Sequence, residues 1–150
     1  MTKLHSASPR VAIACGGTGG HFFPGVAVGE ALKEMGANVM LLISSKKIDR
    51  LAAQALDGYE IQEIPAVAFS PRSPLGFLYG FRRALKSTSD AYKERPPNAV
   101  LAMGGFTSAA PIVLGKRHGV ATFLHESNAI PGRANRLLAP VVDEIFIGLE

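Results

Sequence analysis

A chain of 150 residues that is 47% apolar is long enough for one domain with a sizeable core and too apolar for disorder. Its longest apolar runs, such as 39–43, fall far short of the roughly 20 residues a membrane-spanning helix needs, and the opening "MTKLHSASPR" lacks the apolar stretch of a secretory leader. One cysteine, Cys15, rules out an internal disulfide and fits a reducing cytoplasm, while a net charge of +4 favours phosphates, nucleic acid or an anionic membrane without choosing among them.

Taken in chain order, "RVAIAC" (residues 10–15) is a short β-branched run ahead of a glycine cluster and predicts a buried strand. Pro24 then opens a helical pattern in which Val28, Ala31, Leu32 and Met35 share one face, with Gly36 as its stop. Residues 38–43 read as a second buried strand and 48–56 as a short helix. "YEIQEI" (59–64) alternates like a half-exposed strand. Residues 75–92 predict a helix closed by "RPPN"; "AVLAM" and "VATFL" are further buried strands around a helix at 109–117. A short helix at 133–139 and a last strand, "EIFIG", complete the pattern. Strands alternating with helices require crossover connections, hence an α/β fold built on a doubly wound parallel sheet. The closing "IFIGLE" runs like a strand still in progress, so the chain is expected to be part of something longer.

In such sheets ligands lie beyond the carboxyl ends of the strands. Three loops qualify. In "CGGTGGHFFPG", Gly16, Gly17, Gly19 and Gly20 allow close backbone approach, and the Thr18 hydroxyl with the amides entering the helix suits an anion. A dinucleotide fingerprint would put a small residue where Phe22 stands and an acid where "SSKK" follows the second strand; no G-x-x-x-x-G-K-[ST] occurs. An NADP-dependent oxidoreductase therefore survives only as a minor alternative. The second loop, "MGGFTSAAP", repeats the design with Gly104, Gly105, Thr107 and Ser108, which suggests two anion sites or one extended ligand such as a diphosphate. The third offers His125, Glu126, Ser127 and Asn128, a polar cluster suited to sugar hydroxyls or to bracing the loops. His21 is the only group of the first loop that exchanges protons near neutrality; base, phosphate contact and loop brace all remain open to it. His21, His125 and Glu126 have no regular ligand spacing and no cysteine pair exists, so neither a metal site nor a cofactor is expected.

These motifs in this order, "GGTGGHFFPGVAV" (16–28), "LAMGGFTSAAP" (101–111) and "HESNAIPGRANRLLA" (125–139), resemble the N-terminal half of the MurG family. That resemblance covers nearly the whole chain. It implies a Rossmann-like half of a GT-B glycosyltransferase, an inverting and metal-independent enzyme that moves N-acetylglucosamine from its UDP derivative to lipid I, giving lipid II for peptidoglycan. It implies that residues 1–150 form one acceptor- and membrane-side domain and that the donor domain lies outside this chain, which alone would be inactive. Carried over residue by residue, Thr18, Gly19, Gly20 and Asn128 would contact the donor, and His21 would lie near the reacting hydroxyl as candidate base. Gly16, Gly17, Gly104, Gly105, Thr107 and Ser108 would line the acceptor diphosphate, with His125 and Glu126 as sugar or loop contacts. Departures stand at Ser127, where the family usually has Gln, at "SSKKIDR" after the second strand and at "AFSPRSP" (68–74) after the third.

"PLGFLYGFRRALK" (74–86) sets Leu75, Phe77, Leu78 and Phe81 beside Arg82, Arg83 and Lys86, the composition of a peripheral membrane helix. Leu78 and Leu85 are expected inward, on the sheet; Leu75, Phe77, Arg82, Arg83 and Lys86 are expected at the inner face of the cell membrane. The partners expected are thus UDP-N-acetylglucosamine, lipid I and an anionic membrane surface, not nucleic acid. The alternative from another class is a non-catalytic acceptor- or membrane-binding module of a split glycosyltransferase.

Overall fold

The computed structural model describes residues 8–65 and 73–148. Among them six parallel strands form one sheet in the order β3-β2-β1-β4-β5-β6. The strands are β1 Arg10–Ala14, β2 Asn38–Ser44, β3 Glu60–Ile64, β4 Ala99–Ala102, β5 Ala121–Glu126 and β6 Glu144–Ile147. Between them run α1 Gly19–Glu34, α2 Lys47–Gln54, α3 Pro74–Glu94, α4 Ala109–Arg117 and α5 Arg133–Leu138.

Both faces of the sheet are covered over its central strands, which explains why these read as unbroken apolar runs. Ala12, Ala14, Met40, Leu42, Val100 and Ala102 turn to the side of α3 and α4. Their alternates Ile13, Cys15, Leu41, Ile43 and Leu101 meet Phe22, Val26 and Ala53 from α1 and α2. The strand order reverses between β1 and β4, so the loops leaving those two strands part in opposite directions and open a crevice at the carboxyl edge.

Two helices depart from the sequence reading. α1 begins at Gly19, five residues before Pro24, which sits inside it. A proline in a helix forfeits one bond, here to the carbonyl of Gly20; that group lies in the first turn at an exposed position. The buried face of α1 is Phe22, Gly25, Val26 and Gly29, while Met35 is 83% exposed. Glycines mark the line where the helix comes closest to the sheet, and counting apolar side chains alone misses it. On α3 the inward stripe starts at Phe77 and continues through Phe81, Ala84, Leu85, Thr88, Ala91 and Tyr92. Leu78, expected inward, is 54% exposed. The segment 66–72, including most of "AFSPRSP", lies outside the described residues.

Candidate functional site

The first glycine loop is held from below by a side chain that the sequence reading did not single out. Asp49, on α2 and 2% exposed, accepts a hydrogen bond from Gly17 N at 2.6 Å, another from Ser44 N at 3.3 Å and a third from the Ser44 hydroxyl. Lys46 Nζ donates to the Gly17 carbonyl at 2.8 Å, so the Gly17 residue is clamped through both its N–H and its C=O. Gly16 packs so closely on β2 that a Cβ would stand 2.1 Å from Ser44 N. Gly17 thus spends on Asp49 the amide that its motif had led us to expect on a diphosphate, and Gly16 is confined by its close approach to β2. The groups facing outward are Thr18, which precedes the first turn of α1, and the amides of Gly19 and Gly20 within that turn. The first amides of a helix lack intrahelical partners and carry its positive end. The anion-suited position is thus the turn Thr18–Gly20, upstream of Pro24.

His21 projects from that turn toward the second glycine loop. Its Nδ1 lies 3.0 Å from Thr18 Oγ1. Its other edge lies against Gly104, where a Cβ would come within 2.7 Å of Nε2 and 2.9 Å of Cδ2; only glycine leaves room for the ring. Gly104 and Gly105 both have positive φ, +118° and +75°. Burial lowers the His21 pKa, the Glu126 charge raises it and His125 lowers it again; the net result lies below the ordinary 6.5. The imidazole is accordingly neutral at pH 7 and able to take a proton.

Of the other expected second-loop residues, Thr107 is buried with its Oγ1 beside Gly17. Ser108 is fully buried, and its hydroxyl donates to the carbonyls of Gly104 at 2.9 Å and Ala14 at 3.2 Å. It ties the loop to β1 and does not face a ligand.

In the third loop Glu126 is a brace. Its carboxylate accepts from Asn128 N at 2.8 Å, Asn128 Nδ2 at 2.7 Å, Gly132 N at 3.2 Å and Asn135 Nδ2 at 2.7 Å. Burial pushes the carboxyl upward, but those donors outweigh it and hold the pKa below the ordinary value. With its oxygens so occupied, Glu126 orients the loop, and Asn128 stands exposed beside it. His125 is half-buried, its ring beside Gly148. Cys15 belongs to the core, where burial and the neighbouring Asp49 charge push its thiol up to about 12.

The three loops meet in a small pocket of about 170 Å³, lined by His21, Gly105, Phe106, Asn128, Gly132, Arg133, Ala134 and Asn135. Phe106 and Arg133 continue from it into a shallow groove of about 300 Å³ shared with Arg136 and Leu137. A larger and mostly apolar hollow of about 730 Å³ lies between α5 and β6, with Ile145 and Ile147 on its wall. His21, the proton-exchanging group, lines the small pocket.

Residues 11–147 match the glycosyltransferase family 28 N-terminal domain. The chain belongs to that family. Among family 28 relatives, an enzyme of Geotalea daltonii is 39% identical over 150 residues, 94% of this chain and 40% of its own. One of Geobacter sulfurreducens is 38% identical over the same shares. Both bear the name UDP-N-acetylglucosamine–N-acetylmuramyl-(pentapeptide) pyrophosphoryl-undecaprenol N-acetylglucosamine transferase. The chain thus spans about 40% of the length of the curated relatives it matches. The crystal structure of Acinetobacter baumannii MurG superposes with a TM-score of 0.81 at 23% identity, over 95% of this chain and 42% of that one. The calicheamicin glycosyltransferase CalG4 gives 0.56 at 16% identity, over 89% and 35%. At such identities the likeness speaks for the fold, the Rossmann-like half of a GT-B glycosyltransferase.

Sequence reasoning missed Asp49, Lys46, Asn135 and the arginine pair of α5. A signal existed for two of them. Asp49 is the acid within "SSKKIDR", one turn into α2, and Asn135 is a polar residue between the buried Ala134 and Leu138.

On α3, Leu75 (79% exposed), Leu78 and Tyr79 stand outward with Arg82 and Arg83. Lys86 is ion-paired with Asp90 at 2.7 Å. Phe77, expected at the membrane, instead stacks on Phe81 and meets Phe106 edge-on, each at 6.0 Å between ring centroids. No described helix is long and apolar enough to cross a membrane.

Proposed function

We propose that this chain is the acceptor- and membrane-side half of a transferase that moves N-acetylglucosamine from its UDP derivative to undecaprenyl-diphosphate-linked N-acetylmuramyl-pentapeptide, as its relatives are named to do. The observation that carries the reading is the small pocket at the strand-order reversal. It sets a neutral imidazole, the second glycine loop and an outward asparagine around one space. His21 takes the proton of the acceptor hydroxyl through Nε2, with Nδ1–H donating to Thr18 Oγ1. The hydroxyl oxygen attacks the anomeric carbon, and the bond from that carbon to the diphosphate breaks with its electron pair leaving on UDP.

Thr18, the Gly19 and Gly20 amides and Asn128 face the donor side. Gly104, Gly105 and Thr107 border the acceptor diphosphate, and Arg133 and Arg136, beside Phe106 and Leu137, supply it with positive charge over an apolar floor. Leu75, Leu78, Tyr79, Arg82 and Arg83 rest on the anionic inner face of the membrane. The remainder of the donor pocket belongs to a second domain beyond this chain.

Transfer of radiolabelled N-acetylglucosamine to a lipid I analogue by the full-length protein tests the reading, with His21→Ala in parallel. Transfer that falls by roughly two orders of magnitude in the variant is expected from loss of a general base. No transfer by the unmodified full-length protein refutes it.

A further inference from the structure

Asn135 is 4% exposed and lines the small pocket. Its Nδ2 donates to Glu126 Oε2 at 2.7 Å and to the His125 carbonyl at 3.3 Å. Both partners can only accept, so the orientation of the amide is fixed: the NH2 faces Glu126 and the oxygen faces the other way. That oxygen has no hydrogen-bond partner among the described residues. It points toward Gly104, within 3.3 Å of the place where a Cβ would stand, a place from which His21 Nε2 is 2.7 Å away. A buried carbonyl oxygen left unpaired is costly, and native structures rarely keep one without a purpose.

Asn135 and His21 both line the small pocket, and the Asn135 oxygen and, in its base form, His21 Nε2 are two acceptors set close to Gly104 at its edge. A single hydroxyl has one hydrogen and would have to share it between the two, as the Ser108 hydroxyl shares its own between two carbonyls, whereas two hydroxyls give each acceptor a donor of its own. The pocket calls for a ligand with two neighbouring donors. A diphosphate-linked N-acetylmuramyl ring offers two free hydroxyls once its anomeric oxygen carries phosphate and its ether carries the peptide. One of these is the nucleophile.

Resting on the transfer reading above, we propose that the side-chain oxygen of Asn135 accepts a hydrogen bond from the other free hydroxyl of the acceptor sugar. Asn135 is then a substrate-binding residue that turns the ring so that the nucleophilic hydroxyl meets His21. A ring without the second hydroxyl leaves the Asn135 oxygen unpaired and is discriminated against.

The test uses the full-length protein, lipid I analogues with and without that second hydroxyl, and the variant Asn135→Ser. Serine can still donate toward Glu126 but has no carbonyl oxygen. On the intact acceptor the variant is expected to lose roughly tenfold in kcat/KM, chiefly through KM. The deoxygenated acceptor should cost the parent a similar factor, and the two changes together should cost no more than either alone. Losses that multiply, or no loss in the variant, overturn the proposal. If Asn135→Ser fails to fold, the parent protein with ¹³Cγ-labelled asparagine decides: the Asn135 signal should shift with the intact acceptor and not with the deoxygenated one, and equal behaviour overturns the assignment. The parent's own transfer rate reports separately on the reaction itself; its absence removes the acceptor on which the proposal rests.

Discussion

Gly104 should be irreplaceable for two separable reasons, and substitution by alanine tells them apart. Its φ of +118° is a conformation that side chains with a Cβ rarely adopt, at a cost of about 1–2 kcal/mol. The added methyl also stands 2.7 Å from His21 Nε2, too close to remain, so the ring must swing away and give up its contact with Thr18. That adds about 1 kcal/mol. Gly119 provides the control, since its φ is +69° but no atom lies within 4 Å of the methyl. In urea unfolding Gly119→Ala should show the backbone cost alone, and Gly104→Ala should exceed it by about 1 kcal/mol. In the transfer assay on the full-length protein the contrast should widen. A base displaced by about 1 Å costs on the order of 100-fold in rate, whereas Gly119→Ala leaves His21 in place and the rate near that of the parent. Gly104→Ala with parental transfer, or with a loss no greater than that of Gly119→Ala, refutes the placement of His21 against this loop.

The clamp under the first loop predicts that Asp49→Ala, by orphaning the Gly17 amide and both Ser44 donors, destabilises the chain by about 2–4 kcal/mol in urea unfolding; a change below 1 kcal/mol removes the clamp from the account. His21, with a folded pKa below 6.5, should titrate under that value by NMR. Because the unfolded chain binds the proton more readily, the stability contributed by neutral His21 is fully present above 6.5 and is lost as pH falls through the unfolded and then the folded pKa. His21→Gln should abolish this slope, and an unchanged slope assigns it elsewhere. Arg82→Gln with Arg83→Gln should weaken binding to anionic vesicles by about 25-fold, at about 1 kcal/mol per charge. The deficit should vanish at high salt; equal loss on neutral vesicles argues against an electrostatic membrane face.

Much of this protein is written in its local sequence. Alternating apolar runs and breakers are short-range signals, which is why the strand and helix order, the parallel sheet and the three loops at its carboxyl edge were all legible, as was the motif set that places the chain in its family. What the loops do with their atoms was not. Gly17 and Ser108 look like ligand contacts in a motif, yet their groups are consumed by Asp49, Lys46, Gly104 and Ala14, partners 4 to 94 residues away in the chain. Phe77 and Leu78 exchange roles because helix phase is set by which side chain meets Phe106, a contact that hydropathy does not encode. Asn135 is unremarkable in sequence and acquires meaning only because its amide nitrogen is taken by Glu126, leaving its oxygen beside His21. Hydrogen-bond capacity is finite, and only the tertiary structure decides which polar groups are already satisfied and which are left for a ligand.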